Sequence, residues 1–329
     1  MEITSRRQRL RRAGSTLLHC AVAGLAAGTL LAEFGDRWWI ADFFAHFRFQ
    51  YMAVALAATT LALLMRLRQL AAVACLLIIP QVIVIAGVPT ADRAGDAAPS
   101  ARIRVVTANI QWRNSSFETL VSHFRDAQAD VIALEELTPA ALPLIQALQK
   151  DYPHIAPADW QETASGVALL SRHPIENVRF QRATWAPIVE ATVRHPAGPF
   201  RFIALHAPYP MSSSLYEMHR HYFYAWVRQA AQSNTPIVVT GDFNLTPWSP
   251  RFRAAWRASG LSFAGEYRLW PKTWPAHAVP WKYLPGVLIG GIPIDHVLVS
   301  RHFSVIDMRR GPYIGSDHYP VRVDLRLRP

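Results

Sequence analysis

Pro236-Ile237-Val238-Val239-Thr240-Gly241-Asp242-Phe243-Asn244 is the stretch from which the rest of the chain can be ordered. The apolar, β-branched run before Gly241 reads as a buried strand. Gly241 ends it where the backbone can turn without Cβ strain. Asp242 and Asn244 are two apart, so in an extended backbone they face the same way. An acid and an amide thus share a point just past a strand end. That point suits a hard cation with oxygen ligands, or a phosphate beside one. The same residues also suit a polar turn closed by an Asx hydrogen bond.

The chain around this stretch has 329 residues, enough for one large soluble domain and additional segments. It is 51% hydrophobic and only 17% charged, too apolar for a wholly soluble enzyme, and the apolar excess lies before about residue 99. A net charge of +11 favours anionic partners: nucleic acid, phosphorylated small molecules or acidic headgroups. The two cysteines, Cys20 and Cys75, both fall in the apolar front. The globular part therefore has neither a disulfide framework nor a cysteine zinc site.

Residues 1–88 read as a membrane anchor. Arg6, Arg7, Arg9, Arg11 and Arg12 precede an uncharged run over 13–32, and further apolar runs cover 49–65 and 69–88. The first run has about the 20 residues a spanning helix requires, and a proline such as Pro80 is tolerated in one. The three runs together argue against a cleaved signal peptide. The loop Arg66-Leu67-Arg68 is basic, so the positive-inside rule places it and the N-terminus in the cytoplasm. Three spans then leave the globular part outside it, in the periplasm if the membrane is a bacterial inner one. Residues 89–101 read as a linker, small, polar and proline-bounded.

Residues 102–329 alternate strand and helix patterns. Strands are expected over 102–108, 130–134, 166–171, 188–194, 200–205, 294–299, 303–309 and 321–327. Helices are expected over 117–127, 139–150, 215–231 and 251–258. Polar residues recur where strands stop: Asn109, Glu135 and Glu136, His206, Asp242 with Asn244, and Asp317 with His318. Strand ends are where rigid elements aim side chains into a shared crevice.

These residues resemble the endonuclease/exonuclease/phosphatase superfamily over about Ile103 to Leu327. Thr107-Ala108-Asn109-Ile110 resembles its first motif and Asp130 to Glu136 its second. Gly166 to Arg172 is similar to its central strand, and Leu205-His206-Ala207-Pro208 to its nuclease histidine motif. Gly241 to Asn244, Ile294-Asp295-His296-Val297 and Gly315-Ser316-Asp317-His318 complete the set in family order. Glu135 departs from the glutamine usual in the family. The resemblance implies an α/β fold, a four-layer sandwich of two mixed sheets flanked by helices, here preceded by three transmembrane helices. It implies magnesium or manganese as cofactor and a phosphate ester as substrate, either nucleic acid or a phospholipid headgroup. No protein partner is inferred.

Phosphate ester hydrolysis needs an activated water, charge neutralisation and a stabilised leaving oxygen. Glu136 is the expected metal ligand, with Glu135 as the other choice and Asn109 and Asp317 completing or flanking the site. His318 is the expected base, since imidazole titrates near neutrality. By resemblance, Asp295 orients it. Asp242 positions or deprotonates the water, while Asn244 and His206 hold phosphoryl oxygens. Arg172 is a further candidate for phosphate, with a structural ion pair as its other reading.

His219 and His221 sit in an expected helix, where residues two apart do not share a face, and read as surface residues. His296 should face away from Asp295. Ser171 and Ser316 lack a nucleophile-elbow context, which argues against a serine hydrolase. The aromatic and proline-rich stretch from Leu269 to Pro285 reads as a packed lid, or as a lip for a base or lipid interface. Two further classes compete with a membrane-anchored, metal-dependent phosphodiesterase or nuclease. A silent binding domain would have lost some of these acids, and a transporter would carry ionisable residues within its spans.

Overall fold

The N-terminal helices bury small and polar side chains and expose large apolar ones. They are α1 (Glu2–Ala32), α2 (Trp39–Ala45), α3 (Arg48–Leu64), α4 (Arg68–Leu76) and α5 (Ile78–Ala86). Ala58, Ala62, Ala71 and Ala74 pack with Leu18 and Val22. Leu17, Leu30, Leu56, Leu64, Leu76 and Ile83 are more than half exposed. That inverts the pattern of a water-soluble bundle and suits close packing through small residues in an apolar solvent. Arg48 is buried and paired: it donates to Glu33 Oε1 (2.6 Å) and Gln81 Oε1 (3.1 Å), and Gln81 Nε2 donates to Thr29 Oγ1 (3.0 Å).

Two helices, Arg6–Ala32 and Arg68–Ala86, are long and apolar enough to cross a membrane. The expected span over 49–65 meets a helix of 17 residues, which qualifies only when taken with α2 across a 62° bend. The α4–α5 helix is interrupted at Leu77, close to Pro80, whose missing N–H cannot reach back to Leu76.

This computed structural model describes residues 2–95, 102–156, 166–183, 186–232, 234–265, 272–276 and 290–328. The chain divides into two units, Met1–Val88 with Trp248–Arg251, and the remainder. Most of the expected lid, including Trp281, lies outside the described residues, as do residues 96–101 of the expected linker.

The second unit is built from β1 (Arg102–Asn109), α6 (Phe117–Ala127), β2 (Val131–Leu137), α7 (Leu142–Leu148), β3 (His154–Ala156) and β4 (Gly166–Ser171). There follow β5 (Ile175–Ala183), β6 (Ala186–His195), β7 (Gly198–His206), α8 (Ser213–Ala231) and β8 (Ile237–Asp242). The last elements are α9 (Pro250–Ser259), β9 (Ser262–Phe263), β10 (Asp295–Val299), β11 (Phe303–Arg310) and β12 (Val321–Leu327). Strands β3, β5 and β9 were not expected. The expected 139–150 helix is a 3-10 turn, Pro139–Ala141, followed by α7 with Pro143 in its first turn, where a missing N–H costs nothing.

Two six-stranded mixed sheets form, ordered β11-β12-β1-β2-β4-β3 and β5-β6-β7-β8-β10-β9. Strand alternation sends successive residues to different cores. Ile103, Val105, Val131 and Leu169 of the first sheet meet Val189, Phe202, Val238 and Val297 of the second. Val106, Ala108, Ile132 and Leu134 instead pack beneath α6 and α7 with Leu120, Phe124 and Leu144. Burial on both faces explains why these strands read as continuous apolar runs.

Each sheet contains one parallel pair, β1–β2 joined through α6 and β7–β8 joined through α8. The C-terminal ends of all four strands form one pole of the second unit, and their polar residues therefore converge. At Gly241, φ is +139°, and a Cβ there would collide with the Leu205 carbonyl oxygen of the neighbouring strand. Only glycine allows β7 and β8 to close up at this level.

The opposite pole is pinned by Asp130. Its Oδ2 accepts the Arg104 N–H (2.6 Å), while Oδ1 meets His173 Nε2 (3.1 Å) and His195 Nε2 (3.6 Å). Burial pushes this carboxyl up, but donation from His195, the Arg104 N–H and His173 outweighs it and holds Asp130 below the usual range. Its stabilising contribution is thus complete above the ordinary carboxylate pKa and is lost as pH falls through the lowered one. Asp130→Ala is expected to cost about 2 kcal/mol at neutral pH. A melting temperature lower by several degrees at pH 7, with the gap narrowing in acid, is the outcome to look for in thermal unfolding.

Candidate active site

Asp242 Oδ2 is the point on which the strand ends converge. Asp242 lies opposite His206 on β7 and opposite Asp295 on β10, so three neighbouring strands bring one imidazole and two carboxylates to one level. Asn109 at the end of β1 donates through Nδ2 to Asp242 Oδ2 (3.1 Å) and to Glu136 Oε1 (3.0 Å). His206 Nε2 lies 3.7 Å from Asp242 Oδ2 and 3.9 Å from Glu136 Oε1. His318 Nε2 lies 3.7 Å from the same Asp242 oxygen, on the loop between β11 and β12.

The Gly-Asp-Phe-Asn turn realises both of its sequence readings. The Asn244 N–H donates to Asp242 Oδ1 (2.8 Å), an Asx turn with Asn244 at φ 51°. That bond fixes the carboxylate and leaves Oδ2 turned to the site. The Asn244 side chain donates to the Ala207 carbonyl (2.9 Å) and more weakly to Asp242 Oδ2 (3.4 Å).

Of the two glutamates, Glu136 stands at this convergence. Alternation alone would turn it outward, but β2 bulges between Glu135 and Leu137 and Glu136 takes φ 59°. The bulge re-aims the side chain. Its Oε2 accepts the Trp112 N–H (3.0 Å). Glu135 follows the alternation inward, is fully buried, and accepts from Thr107 Oγ1 (2.8 Å). Its other oxygen has no hydrogen-bond partner, and burial raises it well above the usual carboxyl range. A neutral acid fits where the family usually carries an amide. Glu135→Gln is therefore expected to keep metal-dependent turnover and to raise the melting temperature at neutral pH, since the buried carboxyl must take up a proton on folding and an amide need not. A loss of turnover would show that its carboxylate takes part.

His318 Nδ1 contacts both oxygens of Asp295, at 3.1 and 3.0 Å, so a carboxylate orients the ring. Burial alone would depress His318, but Asp295 and Asp242 outweigh it and raise it well above the imidazole range. Burial, reinforced by Asp295, pushes Asp242 up to about 8. His206 is lowered by burial, and its Nδ1 is buried without a hydrogen-bond partner.

Two positioning residues were not among the expected site residues. Ser316 Oγ donates to the Asn109 carbonyl (2.7 Å) and accepts the His318 N–H (3.0 Å), tying the two ends of the site together. Thr273 Oγ1 accepts from the N–H groups of Ile294 (3.0 Å) and Asp295 (3.2 Å), which sets the start of β10. Asp317 turns to the Trp274 indole, whose Nε1 donates to its Oδ2 (3.4 Å). Among the described contacts it does not join Asn109 or Glu136.

Arg172 is not brought to the site. It follows β4, which runs antiparallel to β2, and its backbone N–H bonds to the Asp130 carbonyl (3.0 Å) at the other pole. Its guanidinium donates to Gln128 Oε1 (3.1 Å) and lies over the Tyr152 ring. His296 faces away, against the Leu245 carbonyl (2.8 Å). His219, expected at the surface, is fully buried with Nε2 against the Phe243 carbonyl (3.0 Å), while His221 is exposed.

The donor set fits a hard divalent cation. Glu136 and Asp242 gather at hydrogen-bond range of one amide, and among the described residues neither pairs with lysine or arginine. Carboxylate oxygens without a lysine or arginine partner are what magnesium or manganese takes. Asp242, Asp295 and His318 also present ligating atoms within 4.8 Å of one another. His318 Nδ1 is committed to Asp295, however, so this group reads as a base or acid with its orienting carboxylate.

Two mixed sheets laid face to face, with carboxylates, imidazoles and amides gathered at one pole, define a hydrolase-type α/β sandwich. The sequence profile of the Endonuclease/Exonuclease/phosphatase family matches residues 106–318, more than half of the chain, which belongs to that family. Members of the family use divalent metal ions. No match was found among curated protein sequences. Among solved structures, an endonuclease/exonuclease/phosphatase from Beutenbergia cavernae aligns at 20% identity and TM-score 0.56, covering 69% of this chain and 72% of that one. D. rerio TDP2, complexed with a single-strand DNA product, aligns at 11% identity and TM-score 0.57 over 69% of this chain and 99% of its own. An endonuclease/exonuclease/phosphatase from Bacteroides vulgatus aligns at 16% identity and TM-score 0.53, over 69% and 99%. At these identities the likeness is one of fold.

Proposed function

We propose that this chain is a membrane-tethered phosphodiesterase of the nuclease type. The observation that carries the reading is the convergence of Asn109, Asn244, His206 and His318 on Asp242 Oδ2, beside Glu136. Asp242, fixed through Oδ1, takes the proton of the attacking water at Oδ2. A base with a pKa near the working pH is suited to that role. His318, held by Asp295, keeps its charge beside Asp242 and faces a phosphoryl oxygen. This moves the base from His318 to Asp242. Neutral His206 and the Asn244 amide hold the remaining phosphoryl oxygens. The water oxygen bonds to phosphorus as the bond to the leaving oxygen breaks, and the leaving oxygen takes up a proton from solvent while Asp242 later returns its own. A divalent ion, held by Glu136 with Asn109 beside it, would neutralise charge on the phosphoryl group.

The related fold that carries a single-strand DNA product supports a nucleic acid substrate. The outward-facing large apolar residues of α1–α5 support the tether. They also favour a second reading, a phospholipid headgroup diesterase working at the bilayer. With three spans, the positive-inside rule puts the N-terminus in the cytoplasm and the catalytic unit outside it. A fusion reporter after Pro329 that is active only in the cytoplasm would overturn that orientation.

The deciding experiment assays the full chain in detergent with magnesium, manganese or chelator. Substrates are single- and double-stranded DNA, phosphatidylcholine, sphingomyelin and an aryl phosphodiester. Metal-dependent cleavage of DNA is expected; preference for a phospholipid would select the second reading, and no cleavage of any diester would overturn the first.

A further inference from the structure

Among the described residues of the second unit, exposed large hydrophobic side chains recur on the loops that carry the site. Trp112 is 44% exposed on the loop after Asn109, Tyr209 is 53% exposed on the loop after His206, and Tyr313 is 42% exposed before Asp317. Each lies within five residues of a site residue. Trp112 is the best fixed of the three. Its N–H is bonded to Glu136 Oε2 at 3.0 Å, so its Cα is anchored one hydrogen bond from the expected metal ligand. The Arg113 guanidinium lies over the indole, 4.0 Å from the ring centroid.

We infer that Trp112 and Arg113, at the rim of the site, form a nucleotide subsite that holds the base and phosphate next to the scissile diester. This rests on the phosphodiesterase reading above. An indole exposed beside a phosphate-ester site offers a π-face to any nucleobase, and a guanidinium beside it can neutralise the neighbouring phosphate. The backing cation distinguishes this arrangement from a membrane-inserting tip. Pushing Trp112 into acyl chains would strip water from Arg113, whereas stacking a base leaves that charge beside an anionic strand. Aromatic stacking is indifferent to base identity, so the subsite predicts activity on single strands with little sequence preference.

The test uses the full chain in detergent. Binding is read by fluorescence anisotropy in chelator, with a labelled single-stranded oligonucleotide and a matched oligomer of base-free sugar–phosphate units. Turnover with magnesium is measured separately. Trp112→Ala is expected to lower the ratio of the two affinities about tenfold, while Trp112→Phe retains most of it. Arg113→Ala is expected to weaken both oligomers and to reduce the slope of log affinity against log salt by about 0.7. A ratio unchanged in Trp112→Ala, or equal losses in the alanine and phenylalanine variants, would overturn the subsite. So would weaker binding of a soluble short-chain phospholipid with the oligomer ratio intact, because the rim would then belong to a lipid. Absent diester turnover in the wild type would instead strike the underlying reading, while the binding ratio still reports on Trp112.

Discussion

Asp242→Asn is expected to lower diester turnover about a thousandfold, within the range for removing a positioned acid or base. The substitution is nearly isosteric, so the loss has a chemical origin. The site cannot absorb an amide silently. Oδ1 accepts the Asn244 N–H and Oδ2 accepts Asn109 Nδ2, so either orientation of an asparagine side chain sets its NH2 group against a donor. Against that cost stands a gain. Burial pushes Asp242 up to about 8, so the metal-free fold holds this carboxyl at a disadvantage that a neutral amide does not share. The two terms oppose each other, and the melting temperature of the metal-free variant should stay near that of the wild type while activity collapses. That separation marks a carboxylate needed for chemistry and not for the stability of the metal-free fold. Turnover within tenfold of wild type, in a variant of unchanged melting temperature, would remove Asp242 from the mechanism.

The residues that converge on Asp242 were legible because they follow parallel strands. Asn109, His206 and Asp242 each close a strand of a parallel pair, and such ends share a pole. Arg172, a candidate for phosphate with a structural role as its other reading, does not follow this rule. β4 looks like any other buried strand in sequence, but it runs antiparallel to β2, so the residue after it lies with Asp130. Strand direction is a property of the pairing and leaves no mark on composition. β5 escaped for a related reason: it is an edge strand whose Glu176 and Arg179 interrupt the apolar pattern, with Val178 and Phe180 exposed. The helical spacing of His219 and His221 correctly separates their faces, but it does not say which face turns inward. The bond from His219 to the Phe243 carbonyl depends on where α8 lies against the end of β8. The Gly315–His318 motif contains Ser316 without showing that its hydroxyl ties Asn109 to His318, and Thr273 reaches Ile294 and Asp295 from a stretch with no motif.

Glu136→Gln is expected to raise the metal concentration that half-saturates activity at least tenfold, as changes around metal ligands commonly do. Glu136 owes its place to a backbone exception. A regular β2 would send residue 136 to the helix side with Ile132 and Leu134, but the bulge and φ of 59° return it to Asn109 and Asp242. Non-glycine residues held in that region cost free energy and persist where the surroundings enforce them. Here the enforcement comes from the side chain itself, since Oε1 is held by Asn109 Nδ2 and Oε2 by the Trp112 N–H. Both partners are donors, and a carboxylate satisfies both. Glutamine satisfies one and opposes the other with its NH2 group, besides removing a charge that the cation requires. The effect should therefore appear without turnover. A ligand that binds only the folded state raises its melting temperature, so magnesium should stabilise the wild type and do so far less in Glu136→Gln. If both proteins gain equally from magnesium, the ion is held elsewhere in this cluster, and Asp242 with Asp295 becomes the pair to replace next.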